Sequence, residues 1–356
     1  MRILHLIPNL SSGGAERQLS YLAPELVRRG HEVHIAYSKK GPSKIDLPGV
    51  VLHQLKSWSN YDPYLIWQLQ RITRSFKPEI IHTWILQMDI LGGIVAKFNR
   101  IPFIFREPNQ VLAYPPNWKN RFRVWVASGA NAIVSNSHGG EEYWKMQLPH
   151  SCRYVVVNAL PLLEIDKAPT ALPSGMVETG RPMALYVGRV IAYKNLKPFI
   201  EAMALVKQRQ DVLGVVCGHG PQLSELKVFV QKLGMEKDIY FSGHLSSVEV
   251  WGLMKKATIF VSLSEHEGRP NTVMESMACV CPVVLSDIPA HREILDKSSA
   301  LFVDPSNIQQ VADTILQALS DHEASKNRAL IAKQKTQEWS IVEMAKSYER
   351  IYKEFI

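Results

Sequence analysis

Short apolar runs rich in β-branched residues alternate with segments of helical periodicity along the chain. This alternation predicts parallel sheets whose strands are joined by helical crossovers. The runs cover residues 3–7, 33–37, 50–53, 80–82, 102–105, 132–134 and 154–157, and then 183–187, 212–217, 239–242, 259–262, 282–285 and 300–303. We therefore expect an α/β protein with two doubly wound parallel sheets, one after the other in the chain.

The segment between the two groups of runs has the composition of a linker. Residues 160–182 contain four prolines and two glycines and show no periodicity. A chain of 356 residues can also bury two separate cores. We predict a first domain over residues 1–160, a linker over 161–182 and a second domain over 183–338. The helical pattern of residues 339–356 is expected to pack back on the first domain.

The excess positive charge lies in the first half of the chain. Residues 1–170 hold 20 Lys and Arg against 12 Asp and Glu, whereas residues 171–356 hold 21 of each, and six of the eight tryptophans are in the first half. Basic residues interleaved with tryptophan, as in residues 118–125, suit an anionic membrane surface. A solvated helix with one aromatic core face is the alternative for that segment. No nucleic-acid motif accompanies these charges, so nucleic acid is not an expected partner.

No segment has the length of a membrane span or of a signal-peptide core. The first apolar run ends at Pro8, and no later stretch reaches roughly 18 uninterrupted apolar residues. The expected location is therefore the cytoplasm, with contact to the inner face of the membrane through the basic first domain. The four cysteines do not form a disulfide framework, and we expect free thiols.

Ligands of open parallel sheets bind beyond the carboxyl ends of the strands, so the loops after the strands are candidate sites. The first such loop contains Gly13 and Gly14 and leads directly into a helix, where backbone N–H groups favour an anion. It lacks the G-x-G-x-x-G spacing of a dinucleotide fingerprint. A later turn contains Gly218 and Gly220, which alone is a weak indication.

The loop that opens the second domain carries two cations. Arg189 and Lys194 follow a predicted buried strand, and two cations on one short loop can converge on a diphosphate and stabilise its departure. Exposed surface charge is the alternative. No D-x-D motif occurs in the chain, and these cations can supply the positive charge that a metal ion would otherwise provide, so we expect neither a metal nor a cofactor.

Two glutamates separated by seven residues form the strongest motif. A helix that starts near Pro270 would place its N–H groups beside Glu267 and would place Glu275 about one turn inside. One carboxylate can meet sugar hydroxyls and the other a ribose. The alternative is that Glu275 is a helix-surface charge and Glu267 a favourable first-turn acid, but Val273 and Met277 around Glu275 favour a buried face.

These motifs resemble glycosyltransferase family 4, which comprises retaining enzymes of the GT-B fold, in which two Rossmann-like domains face a central cleft. The resemblance rests on Glu267 and Glu275 with the residues that follow them, and it is supported by the glycine and cation loops. It implies that Glu275 binds the ribose, that Glu267 binds the donor sugar, and that Arg189 and Lys194 hold the pyrophosphate. The other residues implied in donor binding are Gly13, Gly14, Gly220, Gly268, Arg269, Pro270, Asn271 and Thr272.

The resemblance also implies residues on the acceptor side. His82 ends one predicted strand of the first domain and Arg106 follows another, and both are expected to face the cleft as catalytic residues. For His82, a structural role in capping the strand end is the alternative. Family members usually carry a histidine where Arg106 falls and a glycine where Val280 falls, so the chain departs from the pattern at both positions.

The implied activity is metal-independent transfer of a sugar from a nucleoside diphosphate sugar, with retention of configuration. A UDP-sugar is the favoured donor and a GDP-sugar the alternative. The expected acceptor is a glycan, either lipid-linked or a growing surface polysaccharide. Two other functions remain open on the sequence alone: a nucleotide-sugar 2-epimerase of the same fold, and a non-catalytic nucleotide-sugar-binding partner.

Overall fold

The computed structural model describes residues 1–10, 13–38, 47–59, 62–107 and 117–356. The chain forms two compact units. Residues Met1–Ala159 and Trp339–Ile356 form the first unit, and residues Leu160–Glu338 form the second.

The first unit contains a sheet of seven parallel strands in the order β3-β2-β1-β4-β5-β6-β7. The strands are β1 (Arg2–Ile7), β2 (Glu32–Tyr37), β3 (Val51–Gln54), β4 (Ile80–Trp84), β5 (Phe103–Glu107), β6 (Ala132–Ser135) and β7 (Arg153–Val155). The helices are α1 (Gly14–Arg28), α2 (Tyr64–Phe76), α3 (Leu86–Asn99), α4 (Trp118–Ala127) and α5 (His138–Gln147).

Both faces of this sheet are covered by helices, and β1 contributes to both cores because alternate side chains of a strand point to opposite sides. Ile3 and Ile7 pack in a core with α1, whereas Leu4 and Leu6 pack in a second core with α2, α3 and α4. The sequence of β1 is accordingly apolar on both faces, apart from the buried His5 between Ile3 and Ile7.

The second unit contains a sheet of six parallel strands in the order β10-β9-β8-β11-β12-β13. These are β8 (Met183–Val187), β9 (Leu213–Cys217), β10 (Ile239–Gly243), β11 (Ile259–Ser262), β12 (Val283–Ser286) and β13 (Leu301–Val303). Its helices are α6 (Leu162–Lys167), α7 (Leu196–Lys207), α8 (Leu223–Lys232), α9 (Ser247–Lys256), α10 (Asn271–Ala278), α11 (Pro289–Arg292), α12 (Ile308–Ser320) and α13 (His322–Lys335). The prediction of an α/β protein with two doubly wound, Rossmann-like parallel sheets is confirmed.

The segment expected to be a linker, residues 161–182, includes helix α6 and belongs to the second unit. Ile165 of α6 is fully buried, and the helix lies against α9 and α10. Six residues are too few to display a helical period, so composition alone did not indicate this helix.

The last helix, α14 (Ile341–Lys353), belongs to the first unit and packs against α1. The side chain of Ser340 accepts a hydrogen bond from the backbone of Glu343 and caps the helix start. Tyr348 and Tyr352 lie on its buried face. Within the ranges given above, no helix combines the length and the apolar character that crossing a bilayer requires.

Candidate functional site

The strand order of each sheet reverses direction beside its first strand. The chain leaves β8 on one side toward β9 and returns to the other side at β11, and it does the same at β1 and β4 of the first unit. Adjacent loops diverge at such a switch point and leave a crevice for a ligand at the carboxyl ends of the strands. The loops after β8 and β11 are held together by a hydrogen bond of 2.9 Å from the backbone of Glu265 to that of Tyr193.

The loops after β8 and β9 lie in backbone contact. The N–H of Val190 donates to the carbonyl of His219 at 3.0 Å. A Cβ atom at Gly218 would lie 1.8 Å from the carbonyl oxygen of Gly188, and one at Gly220 would lie 2.2 Å from that of Val190. Both positions therefore require glycine, which gives the predicted Gly220 a packing role in this loop pair.

An ion pair joins Lys194, in the loop after β8, to Glu267, in the loop after β11. Lys194 contacts the carboxylate of Glu267, and the two side chains are 15% and 10% exposed. The hydroxyl of Ser264 donates to the same carboxylate at 2.8 Å. Two groups predicted to contact the phosphates and the sugar are thus adjacent at the β8–β11 switch point.

Arg189, the other cation in the loop after β8, is exposed. Its guanidinium donates to the hydroxyl of Tyr193 at 2.7 Å, and the ring of Tyr193 stacks on His266 with centroids 4.4 Å apart. No sequence motif indicated Tyr193 or His266. Their position in loops after strands was the only indication available.

Helix α10 begins at Asn271, directly after Pro270, and Pro270 makes no side-chain capping hydrogen bond. Gly268 and Thr272 lie on either side of this helix start and are half-buried. Glu275 is 3% exposed, so the alternative that it is a surface charge is wrong. The pattern of Val273 and Met277, both buried, indicated this inward face.

The side chain of Arg269 is buried in an ion pair with Glu293 at 2.9 Å. Burial lowers the pKa of Arg269, and the carboxylate of Glu293 opposes that shift. The guanidinium of Arg269 thus holds the loop before α10 to the end of α11, and a role for Arg269 in donor binding stays a prediction.

His291 of α11 is a buried histidine that the sequence analysis missed. Its Nδ1 lies 2.8 Å from the backbone carbonyl oxygen of Ser286, and since a carbonyl only accepts, Nδ1 carries the proton. Burial lowers the pKa of His291, so the ring is neutral and Nε2 is an acceptor. The hydroxyl of Ser286 donates to the carbonyl of Ser264 at 2.6 Å, which connects α11 to the loop that holds Glu267.

In the first unit, Gly13 precedes α1 and Gly14 begins it. A Cβ atom at Gly13 would lie 2.0 Å from the carboxylate of Glu16, which is buried. The glycine is thus needed for the carboxylate to fold over the helix start. Residues 11 and 12 of the same loop lie outside the described residues.

The prediction that the strands end at His82 and before Arg106 is wrong. Both lie within longer strands, β4 and β5, with side chains 0% and 1% exposed. Nδ1 of His82 shares a hydrogen bond of 2.7 Å with the hydroxyl of Tyr352. The Arg106 guanidinium stacks 4.7 Å from the ring of Trp84 and donates to Asn158 at 2.7 Å.

Burial governs the charge of both groups. Burial lowers the pKa of His82 well below its ordinary value, and the nearby His5 and Arg106 add to that shift. Burial lowers the pKa of Arg106 to about 10. His82 is therefore neutral and Arg106 cationic near neutral pH, in the interior of the first unit against α14. A catalytic role for either residue stays a prediction.

No group of three or more His, Cys, Asp or Glu side chains in the part of the chain that the structure describes is arranged to hold a metal ion. Cys217, Cys279 and Cys281 are buried free thiols and Cys152 is an exposed one.

Two family models match the chain, one to each unit. The model for glycosyltransferase family 4 matches residues 12–158, and the model for glycosyl transferases group 1 matches residues 173–337. Together they account for most of the chain, and the protein belongs to this family of glycosyltransferases.

The named relatives are glycosyltransferases. The chain is 25% identical over 218 residues to alpha-D-kanosaminyltransferase of Streptomyces kanamyceticus, a match over 60% of this chain and 56% of that protein. It thus spans little more than half the length of that relative. It is 25% identical over 347 residues to a Campylobacter jejuni enzyme, N-acetylgalactosamine-N,N'-diacetylbacillosaminyl-diphospho-undecaprenol 4-alpha-N-acetylgalactosaminyltransferase, with 91% of this chain and 92% of that protein covered.

Among solved structures, HepE of Anabaena in complex with UDP and glucose has a TM-score of 0.85 at 16% identity, covering 99% of this chain and 100% of that one. The likeness shows that the fold is the GT-B fold.

Proposed function

We propose that the protein transfers a sugar from a nucleoside diphosphate sugar, with UDP as the favoured carrier, to a lipid-linked or growing surface polysaccharide. The observation that carries the proposal is the junction of Lys194 and Glu267 at the β8–β11 switch point, three residues before the start of α10 at Pro270 and Asn271. A cation, a carboxylate and a helix N-terminus at one point suit a sugar diphosphate.

The donor is assigned to the second unit. Arg189 and Lys194 neutralise the diphosphate, and Glu275, inside α10, accepts hydrogen bonds from the ribose hydroxyls. Glu267 accepts hydrogen bonds from the sugar once Lys194 turns toward the phosphates. The complex of HepE with UDP supports UDP over GDP as the first base to test.

The proposed reaction retains configuration and needs no metal ion. The bond between the anomeric carbon and the diphosphate oxygen breaks, the acceptor oxygen bonds to that carbon on the same face, and its proton passes to the departing phosphate oxygen. Arg189 and Lys194 stabilise the negative charge that develops on the diphosphate. The undecaprenol-linked substrate named for the Campylobacter relative supports a lipid-linked acceptor.

In the first unit, His82 and Arg106 are proposed as positioning residues for the acceptor side. They touch Tyr352, Trp84 and Asn158 and set the position of β4 and β5. Their burial argues for action through these neighbours.

A transfer assay tests the proposal. The full chain is incubated in EDTA with single UDP-sugars or GDP-sugars and a bacterial lipid extract as the acceptor source, and NDP release and product linkage are followed by mass spectrometry and NMR. We expect NDP release that depends on the extract, with the anomeric configuration of the donor in the product. Conversion of the donor to an epimer without extract would identify a 2-epimerase, and an absence of turnover with every sugar would favour a binding partner.

A further inference from the structure

Helix α4 buries the charged residue Arg123 and exposes its large aromatic residues. Arg123 is 1% exposed and pairs with Asp89 and Glu107, each at 3.0 Å. Val126 and Ala127 complete the buried side. An ordinary surface helix turns its apolar stripe toward the core and its charges toward solvent, so this arrangement reverses the expected one.

The outer side of α4 carries three large aromatic side chains. Trp118 is 67% exposed, Trp125 is 60% exposed and Phe122 is 37% exposed. At 3.6 residues per turn these three lie within roughly 60° of one another around the helix. Phe122 and Trp125 stack with centroids 5.3 Å apart, which makes one continuous apolar strip.

Cations border this strip. Arg121 lies on the same side of α4, and Lys97 of α3 places its ammonium 5.0 Å from the ring of Trp125. We call Lys97, Trp118, Arg121, Phe122 and Trp125 the tryptophan face. The packing of α3 against α4 brings Lys97 into it.

Within residues 84–131, the exposed charges of the described residues are positive only. From residue 84 to residue 131 the acidic residues are Asp89 and Glu107, and both are buried against Arg123. Lys97, Arg100 and Arg121 are exposed and form no ion pair with any residue that the structure describes. These three cations therefore favour contact with an anionic surface.

A cavity of about 230 Å³ adjoins the face. Lys97, Arg100 and Asn131 line it together with the apolar Pro102 and Phe103. It lies at the amino ends of β5 and β6, whereas the candidate donor site lies at the carboxyl ends of strands in the other unit. Two cations over an apolar floor suit a phosphodiester attached to an acyl chain.

We propose that the tryptophan face docks on an anionic lipid bilayer, with lipid phosphates held by Lys97 and Arg100. Tryptophan is favoured at the level of the lipid headgroups, where its ring is apolar and its N–H remains hydrated, and flanking cations add attraction to anionic lipid. A protein partner fits less well, because lysine is depleted from protein interfaces. The proposed function supplies the reason for docking, which is access to a lipid-linked acceptor, and in that respect the proposal rests on it.

Vesicle sedimentation tests the aromatic part. The full chain is mixed with vesicles of phosphatidylglycerol and phosphatidylcholine, or of phosphatidylcholine alone. We expect binding to the anionic vesicles, weakened at high salt, and a loss of at least about tenfold in the double variant Trp118→Ser/Trp125→Ser. The control Leu233→Ser/Tyr240→Ser removes two exposed apolar side chains of the second unit and should keep wild-type binding.

Charge variants test the electrostatic part. Arg100→Glu/Arg121→Glu should reduce binding to anionic vesicles far more than Lys232→Glu/Lys326→Glu, which makes the same change in net charge on the second unit. Equal losses in the two pairs, no binding of the wild type to anionic vesicles, or loss of a dimer in the tryptophan variant would overturn the proposal; the last result would assign the face to a second copy of the chain.

A parallel UDP titration separates this proposal from the proposed function. The tryptophan variant should bind UDP as the wild type does. Vesicle binding without any nucleotide binding would leave the docking proposal standing and overturn the donor assignment, whereas the reverse result would overturn the docking alone.

Discussion

Lys194 and Glu267 form an ion pair that joins the loop after β8 to the loop after β11. Both side chains are mostly buried, and Ser264 adds a hydrogen bond to the carboxylate. Since each residue is assigned to a different part of the donor, the pair sets the spacing between the phosphate-binding and sugar-binding groups before a ligand arrives.

A double-mutant cycle tests the strength of this pair. Lys194→Ala leaves a mostly buried carboxylate without its cation and should lower the free energy of unfolding by about 1–3 kcal/mol. Lys194→Ala/Glu267→Ala should lose less than the sum of the single variants, with a coupling energy of about 1–2 kcal/mol in urea unfolding. The exposed pair Arg209 and Asp313 is the control and should show about 0.5 kcal/mol or less. Equal coupling energies in the two cycles would argue against a structural role for the Lys194 pair.

Asp89 should make the stability of the protein depend on pH. Burial raises the pKa of Asp89 to about 6, against the opposing charge of Arg123. A raised pKa means that the folded state holds the proton more tightly, so this contribution is complete below the unfolded pKa of 3.8. It is lost as the pH rises through about 6, and the loss amounts to roughly 3 kcal/mol.

The measurement is urea unfolding of the wild type and of Asp89→Asn at several pH values between 4 and 7. The difference in unfolding free energy between the two proteins should change over this window in the direction given above and then level off. Asp313→Asn, at an exposed position, should show no such change. A pH-independent difference for Asp89→Asn would contradict the raised pKa.

Tyr348 and Tyr352 of α14 provide a matched pair of substitutions. Both are fully buried, but only the Tyr352 hydroxyl contacts His82, whereas the Tyr348 hydroxyl has no hydrogen-bond partner among the described residues. Tyr352→Phe should cost about 1–3 kcal/mol because it leaves Nδ1 of His82 unsatisfied, and Tyr348→Phe should be neutral or slightly stabilising. Thermal or urea unfolding of the two variants gives the comparison. A larger cost for Tyr348→Phe would show that the His82 contact is not what secures the helix.

The strands were predictable because parallel strands that are covered on both faces have nearly continuous apolar sequences. Two strands were predicted to end too early, at His82 and before Arg106, because these residues are polar. Strands β4 and β5 continue through them, and aromatic side chains cover both residues. In the second unit Glu275 could be placed from its apolar neighbours. His291 could not, since its polar neighbours Arg292 and Glu293 resemble a solvated turn, and nothing in the sequence shows that the turn between Ser286 and His291 is buried.

The tryptophan face illustrates the same limit. The sequence left open whether residues 118–125 form a helix with an aromatic core face, and the structure shows instead that Arg123 is the inward residue and that the tryptophans are outside. The ion pairs of Arg123 with Asp89 and Glu107 join residues far apart in the chain, so no local pattern indicates them.

The most direct test of the donor assignment is calorimetric titration of UDP and GDP, in chelator, into the wild type, Arg189→Ala, Glu275→Ala and the control Glu225→Ala. We predict micromolar binding of one nucleotide, weakened by about 1–3 kcal/mol in the first two variants because each loses a charge-assisted contact, and unchanged in the control. Binding that is indifferent to Arg189 and Glu275, or no binding of either nucleotide, would contradict the assignment of the donor to the second unit.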